Sequence, residues 1–220
     1  MGPGMDENEQ ELKKNLIYPH AHGVVLDLGA GQGITIKYLD RSRVKKYIAL
    51  EPNMCMHAKI RETASAHGFA ESDGNFIILS CSASDISSIL FRLSTEKTEI
   101  GVDTIVSIRS ACSFPSPQET LTSLARDVLK PGGEFLFLEH VLSGKKDVAW
   151  WQRFWSPIWE VFFAGCRLDR PTHLWIERMK DSDGQGNVVG MWSEGEMNPV
   201  YEDSEEQLFG HTTGRFVKHA

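Results

Sequence analysis

A glycine-rich loop between an apolar run and a helical segment is the sequence feature with the clearest chemical meaning. The apolar run Val24–Leu28 leads directly into Gly29-Ala30-Gly31-Gln32-Gly33. Glycines permit a tight turn and let the backbone come close to a ligand, and the helix N-terminus behind them favours an anionic group. The loop therefore predicts a cofactor site with these candidate residues: Asp27, Gly29, Ala30, Gly31 and Gly33.

A second acidic position supports a nucleoside-containing ligand. Glu51 ends the next apolar run, 18 residues beyond Gly33, and is followed by Pro52 and Asn53. A carboxylate at this place accepts hydrogen bonds from the two hydroxyls of a ribose. The alternative is an ordinary solvated acid at a strand end.

The ends of three later apolar runs carry the remaining candidates. Ser82 and Ala83 follow the third run as further cofactor contacts, and Ser107 and Arg109 lie at the end of the fourth. We expect Arg109 to pair with a carboxylate of the cofactor, the substrate or the protein itself. Ser110 is a candidate for the substrate pocket.

The fifth run supplies the catalytic candidates, Glu139 and His140. His140 is the leading candidate for a general base, and the alternative is that it packs or caps a backbone group. Glu139 either orients His140 or bonds elsewhere.

Five apolar runs alternating with helical segments must position these residues. This pattern predicts an α/β fold, Rossmann-like, with a mostly parallel seven-stranded sheet and helices on both faces. We expect Val188–Trp192 and Leu208–Val217 to form an antiparallel edge pair, joined by an acidic loop over Glu194–Glu206. A single domain 1–220 would comprise a helix or tail at 1–17, a cofactor-binding core at 18–141 and a substrate-side region at 142–220.

A tryptophan-rich segment lies in that last region. We expect a helix over Ala149–Phe163 that breaks near Pro157. Trp151, Trp155 and Trp159 are spaced by four residues, so they share one helical face. That face either packs on the sheet as core or forms the wall of an apolar substrate pocket.

Composition narrows the function classes. The formal net charge is −7 and no basic stripe is present, which disfavours a nucleic-acid partner. No apolar run is long enough for a membrane span, and the polar N-terminus predicts no signal peptide. The four cysteines form no C-x-x-C pair, so we expect free thiols in a reducing, cytoplasmic setting and no metal site.

The motifs together resemble class I S-adenosylmethionine (SAM)-dependent methyltransferases. VVLDLGAGQG is similar to their first motif, YIALEPN to the ribose-holding motif, SCSASDI to the adenine-contacting turn and LKPGGEFLFLEHV to the fifth-strand motif. Ser82 stands where many relatives have an acid that meets the adenine amino group. Thr35 stands where a dehydrogenase usually has its third glycine.

The C-terminal half resembles the methyltransferase-like 7 group of alkyl-thiol S-methyltransferases. The similarity lies in LEHV, in the tryptophan-rich segment, and in Gly165-Cys166-Arg167-Leu168 with Arg170 and Thr172. The resemblance implies methyl transfer from SAM, with S-adenosylhomocysteine (SAH) as product, to a small-molecule acceptor, with thiol sulfur favoured over phenol or alcohol oxygen. The membrane anchor of the animal members is not carried over.

Two other functions remain open at this stage. A cyclase or pericyclase of natural-product biosynthesis on the same fold would not transfer methyl, and a non-catalytic SAM-binding subunit would need a partner. The absence of an evident catalytic dyad motivates the first, and the short N-terminal lead-in motivates the second.

Overall fold

The computed structural model describes residues 3–95, 101–182 and 184–220, and its centre is one seven-stranded sheet. The strands are β1 (Gly23–Leu28), β2 (Val44–Leu50), β3 (Phe76–Leu79), β4 (Val102–Ile108), β5 (Leu129–His140), β6 (Lys180–Ser182), β7 (Val188–Gly190), β8 (Trp192–Pro199) and β9 (His211–Lys218). The α-helices are α1 (Pro3–Ile17), α2 (His57–Ala66), α3 (Ile86–Thr95), α4 (Pro117–Ser123), α5 (Lys146–Phe162) and α6 (Thr172–Glu177).

The strand order fixes where a ligand can bind. The order is β3-β2-β1-β4-β5-β9-β8, with β1 to β5 parallel and β9 and β8 antiparallel to their neighbours. The chain winds in opposite directions from β1 and β4, so a crevice opens between the carboxyl ends of these two strands. The predicted fold class, including the antiparallel edge, is confirmed.

Alternation along the central strands builds two cores, one on each face of the sheet. Leu26 and Leu28 of β1 belong to one apolar cluster, whereas Val25 of the same strand belongs to the other. Because all six residues of β1 are buried, this strand lies in the middle of the molecule and carries the glycine loop on a rigid base.

Two predicted helices differ from expectation. Ile34–Tyr38, after the glycine loop, forms a 3-10 helix. Helix α5 runs unbroken through Pro157, so the predicted break is wrong. Proline has no N–H to donate to the carbonyl of Arg153, four residues earlier. Pro157 and Arg153 both lie on the exposed side of the helix, where water can bind that carbonyl.

The C-terminal strands pair differently from the prediction. Val188–Gly190 pairs with Lys180–Ser182 in a separate two-stranded sheet, around a turn in which residue 183 lies outside the described part. On its outer side β9 pairs with β8, Trp192–Pro199, so about half of the predicted acidic loop is strand. Gly195 makes this pairing possible, because a Cβ there would lie 2.3 Å from the Phe216 ring.

Residues 1–17 were predicted as a helix or tail, and the described part forms helix α1. Within the described residues, no helix combines the length and the apolar character that crossing a bilayer requires.

Candidate active site

The glycine loop turns sharply at the carboxyl end of β1. Gly29 and Gly31 have φ angles of 62° and 56°, in the left-handed region that glycine enters without strain. A Cβ on Gly29 would lie 2.8 Å from the Cβ of Ser110, so the loop after β4 passes directly over this residue. This contact between Gly29 and Ser110 brings the ends of β1 and β4 together at the crevice.

Glu51 is oriented by backbone donors before any ligand arrives. The amide N–H of Gly31 donates to Oε2 at 2.8 Å, and that of Asn53 donates to Oε1 at 2.8 Å. Each carboxylate oxygen has two lone pairs, so each can accept one further hydrogen bond. This is the geometry that two ribose hydroxyls require.

A cavity of about 500 Å³ lies beside Glu51 at the carboxyl edge of the sheet. This volume falls within the range of about 300–1,000 Å³ that is usual for cofactor and small-molecule sites. Its lining contains Gly29, Leu50, Glu51, Pro52, Asn53, Ser82, Ala83, Arg109, Ser110, Ser113, Phe114, Pro115 and Ala164. Seven of the residues predicted for the cofactor and one predicted for the substrate therefore share one cavity. Ser113, Phe114, Pro115 and Ala164 were not predicted, because nothing in their local pattern marks them.

Other predicted cofactor residues lie behind the cavity wall. Ala30, Gly31 and Gly33 shape the loop without lining the cavity. Asp27 is buried and accepts a hydrogen bond from the Tyr47 hydroxyl at 2.5 Å. Burial raises the pKa of Asp27 to about 7, against the lowering effect of that hydrogen bond.

Ser107 and Glu139 form a buried polar anchor beneath the loop after β4. Oε1 of Glu139 accepts hydrogen bonds from the Ser107 hydroxyl at 2.7 Å and from the amides of Ser110 and Ala111 at 3.0 and 3.1 Å. Burial raises the pKa of the Glu139 carboxyl, while the two amides and Ser107 lower it. Glu139 therefore positions the loop that covers Gly29, and its Oε2 is buried without a hydrogen-bond partner among the described residues.

His140 faces two cysteines that the sequence did not connect with it. Its Nδ1 lies 3.6 Å from Sγ of Cys166, and Sγ of Cys112 completes a group whose three atoms all lie within 4.8 Å of one another. A hydrogen bond between the two sulfurs lowers the pKa of Cys166 and raises that of Cys112, and His140 lowers the pKa of Cys166 further. The residues stand 28 and 26 positions apart, so no local spacing could reveal this group.

Arginines tie the two cysteine segments together. Arg170 donates to the carbonyls of Ala111 and Phe114, at 3.2 and 2.7 Å, and the amide of Arg167 donates to the carbonyl of Cys112 at 3.1 Å. The loop after β4 and the segment after α5 are thus held in a fixed relation.

Arg109 pairs with a protein acid, one of the three partners considered for it. Its guanidinium lies 3.0 Å from the Glu9 carboxylate of α1, and its φ of 53° is in the left-handed region, which is costly for a residue with a Cβ. Because Arg109 also lines the cavity, this ion pair places α1 at the cavity mouth.

The aromatic face of α5 is not its buried face. Trp151 and Trp155 are 47% and 41% exposed, whereas Gln152 and Ser156 are buried. The interpretation of this stripe as core is therefore wrong for these two tryptophans. Trp159 differs, because it is half-buried, hydrogen bonds to Cys166 and stacks on Phe163 with ring centroids 3.7 Å apart.

Comparison with known proteins decides the family. Residues 6–176 match the family described as methyltransferase domain, which is more than half of the chain. The chain belongs to this methyltransferase family. Its glycine loop, Glu51 and all of the cavity lining lie within the matched residues.

Among curated proteins, thiol S-methyltransferases are similar to part of this methyltransferase. The rat thiol S-methyltransferase TMT1B is 39% identical over 85 residues, which cover 38% of this chain and 34% of that protein. The human thiol S-methyltransferase TMT1A is 36% identical over 81 residues, which cover 35% of this chain and 32% of that protein. The chain thus spans about a third of the length of these relatives.

A solved structure shares the fold across nearly the whole chain. A putative methyltransferase from Bacillus halodurans superimposes with a TM-score of 0.63 at 11% identity, covering 96% of this chain and 100% of that one. At this identity the likeness shows the fold alone.

Proposed function

We propose that this methyltransferase binds SAM in the cavity beside Glu51 and transfers its methyl group to the sulfur of a small thiol, releasing SAH. The observation that carries the proposal is Glu51, held by two backbone amides at the carboxyl edge of the sheet with lone pairs left for a ribose. We further propose that residues 18–141 hold SAM and that residues 142–220 cover the acceptor.

The residues around the cavity suit SAM as a ligand. Glu51 would accept hydrogen bonds from the ribose hydroxyls of SAM. Ser82 and Ala83 would border its adenine, and the turn at Gly29 would face its methionine part. SAM supplies a methyl group that its sulfonium has already activated. The protein therefore has to align the acceptor and keep water out, rather than create a strong electrophile.

His140 is the residue that we place beside the acceptor. It ends β5, next to the end of β4 from which Arg109 and Ser110 reach the cavity. Glu139 would act indirectly, because its Oε1 accepts two hydrogen bonds from the loop after β4. Phe114, Pro115 and Ala164 give the same cavity an apolar side, which would exclude water from the transfer.

A thiol acceptor fits this arrangement better than an alcohol. A cysteine-like thiol has a pKa of about 8.5, so a few per cent is already thiolate at neutral pH, and a thiol needs less help from a base than an alcohol does. The thiol S-methyltransferases among the relatives support the same choice.

The test compares acceptors that differ in one atom. Purified protein is given SAM with an alkyl thiol or with the alcohol of the same carbon skeleton, and SAH and the methylated product are measured by mass spectrometry. We expect SAH and thioether in equal amounts from the thiol, and no product above the no-enzyme rate from the alcohol. SAM binding without turnover on a panel of thiols and phenols would overturn the proposal, and a product of unchanged mass formed without SAM would identify a cyclase.

A further inference from the structure

The group formed by Cys112, His140 and Cys166 has the composition and spacing of a metal site. The three residues come from the loop after β4, the end of β5 and the segment after α5. Both cysteines are buried, and their sulfurs and one ring nitrogen of His140 lie within 4.8 Å of one another. Two thiolates and one imidazole form a ligand set typical of zinc.

One observed distance already matches the geometry that this ion requires. Zinc bonds of about 2.3 Å to sulfur and about 2.05 Å to nitrogen give tetrahedral edges of about 3.8 Å between sulfurs and about 3.6 Å between sulfur and nitrogen. The distance from Sγ of Cys166 to Nδ1 of His140 is 3.6 Å. The ligands are held from outside by Arg167 and Arg170, so the site is largely formed in advance.

A second observation indicates that the group faces a further polar ligand. The ring of His211 lies 4.1 Å from that of His140, and its Nε2 is buried with no hydrogen-bond partner among the described residues. Buried polar atoms normally have partners, so an unsatisfied one on the ring next to that of His140 points to a missing group. Ser113 and Ala164, which stand close in sequence to the two cysteines, line the SAM-sized cavity.

We propose that Cys112, His140 and Cys166 bind one zinc ion and that its open fourth position takes the acceptor thiol. The zinc site stands on the geometry alone, whereas the role of the fourth position rests on the proposed function. Three protein ligands with one open position are the arrangement of zinc sites that do chemistry rather than hold a fold together. In this arrangement His140 acts as a ligand and the metal ion takes over the task of a base.

The reaction balances without any further reactant. Coordination of the thiol to zinc releases its proton to solvent, and the bound thiolate keeps the lone pair that attacks the methyl carbon. A carbon–sulfur bond forms to the acceptor as the bond from that carbon to the SAM sulfur breaks. Neutral thioether and SAH leave, and the zinc keeps its charge and its three protein ligands.

Metal binding is tested first, without SAM. Reduced protein, freed of metal by chelator and dialysis, is titrated with Zn²⁺ against a chromophoric chelator and with Co²⁺ in an absorption experiment. We expect one ion per chain and a thiolate-to-cobalt charge-transfer band. Cys112→Ser, Cys166→Ser and His140→Gln should each weaken binding at least 10-fold, whereas Cys55→Ser, at an exposed free cysteine, should not.

Circular dichroism shows whether each variant is folded, and His140→Gln keeps the test valid if a buried serine unfolds the chain. Failure of the reduced wild type to bind Zn²⁺ or Co²⁺ would overturn the zinc site, whether or not the protein methylates thiols.

The fourth position is tested on the cobalt-loaded protein. An alkyl thiol should change its visible bands, and the matching alcohol should not. Unchanged bands with thiol would overturn the role of the fourth position. A thiol-dependent spectrum in a protein that never forms thioether would leave the zinc site standing and overturn the proposed function instead.

Discussion

Gly29 and Ser110 approach so closely that a Cβ on Gly29 would lie 2.8 Å from the Cβ of Ser110. Gly29 also has a φ of 62°. Gly29→Ala should therefore destabilise the protein by about 1–2 kcal/mol for the left-handed backbone and by a further 1–3 kcal/mol or so for the steric conflict. Chemical denaturation measures the loss of unfolding free energy.

Gly74→Ala is the matched control, because Gly74 has a similar φ of 68° and open space around its Cβ position. It should show the backbone cost alone. Equal losses in the two variants would mean that the contact between the glycine loop and Ser110 is not as tight as the structure has it.

Asp27→Asn should change how stability depends on pH. The folded-state pKa of Asp27 is raised to about 7 from 3.8, so between these values the folded chain keeps a proton that the unfolded chain has lost. The unfolded state then binds fewer protons, and this group makes stability fall as pH rises from about 4 to about 7. The full penalty, on the order of a few kcal/mol, is present above pH 7.

The amide of the variant cannot ionise, so Asp27→Asn should gain stability relative to wild type as pH rises through that window. Thermal or urea unfolding at pH 5 and pH 8 measures the difference, with Asp73→Asn on the surface as control. A constant difference between wild type and variant at both pH values would contradict the raised pKa of Asp27.

Gln152 should contribute more to the unfolding free energy of the protein than the exposed tryptophans on α5 do. Its side chain accepts from the amide of Ser143 and donates to the carbonyls of Val141 and Leu208, at 2.8, 3.0 and 3.0 Å. Gln152→Ala leaves three buried backbone groups without partners, so we expect a loss of about 2–4 kcal/mol in unfolding free energy. Trp155→Ala, on the exposed face, should cost less than about 1 kcal/mol. The reverse ranking would show that the aromatic face of α5 is buried.

Much of the sheet and of the cofactor site could be predicted because their signals are local. Val24–Leu28 followed by closely spaced glycines predicts a buried strand and a turn. Glu51 lies directly at the end of the next apolar run, 18 residues beyond Gly33. The antiparallel pairing was harder to predict, because β8 is mostly exposed and polar, and the close fit of Gly195 over Phe216 joins two segments that are distant in sequence.

Long-range contacts account for what the sequence did not predict. Cys112, His140 and Cys166 meet only after three separate segments pack together. Nothing local distinguishes Gln152, a buried hydrogen-bonding centre, from the exposed Trp151 beside it.

Isothermal titration with SAM and SAH, on wild type, Glu51→Gln and Glu62→Gln, tests whether the cavity beside Glu51 is the SAM site. Glu51→Gln replaces one carboxylate oxygen by an amide that cannot accept, whereas Glu62 is an exposed residue of α2 paired with Lys59. We expect micromolar binding to wild type and to Glu62→Gln, and affinity at least 10-fold weaker in Glu51→Gln. No binding to the wild type, or equal affinity in all three proteins, would contradict the cavity beside Glu51 as the SAM site.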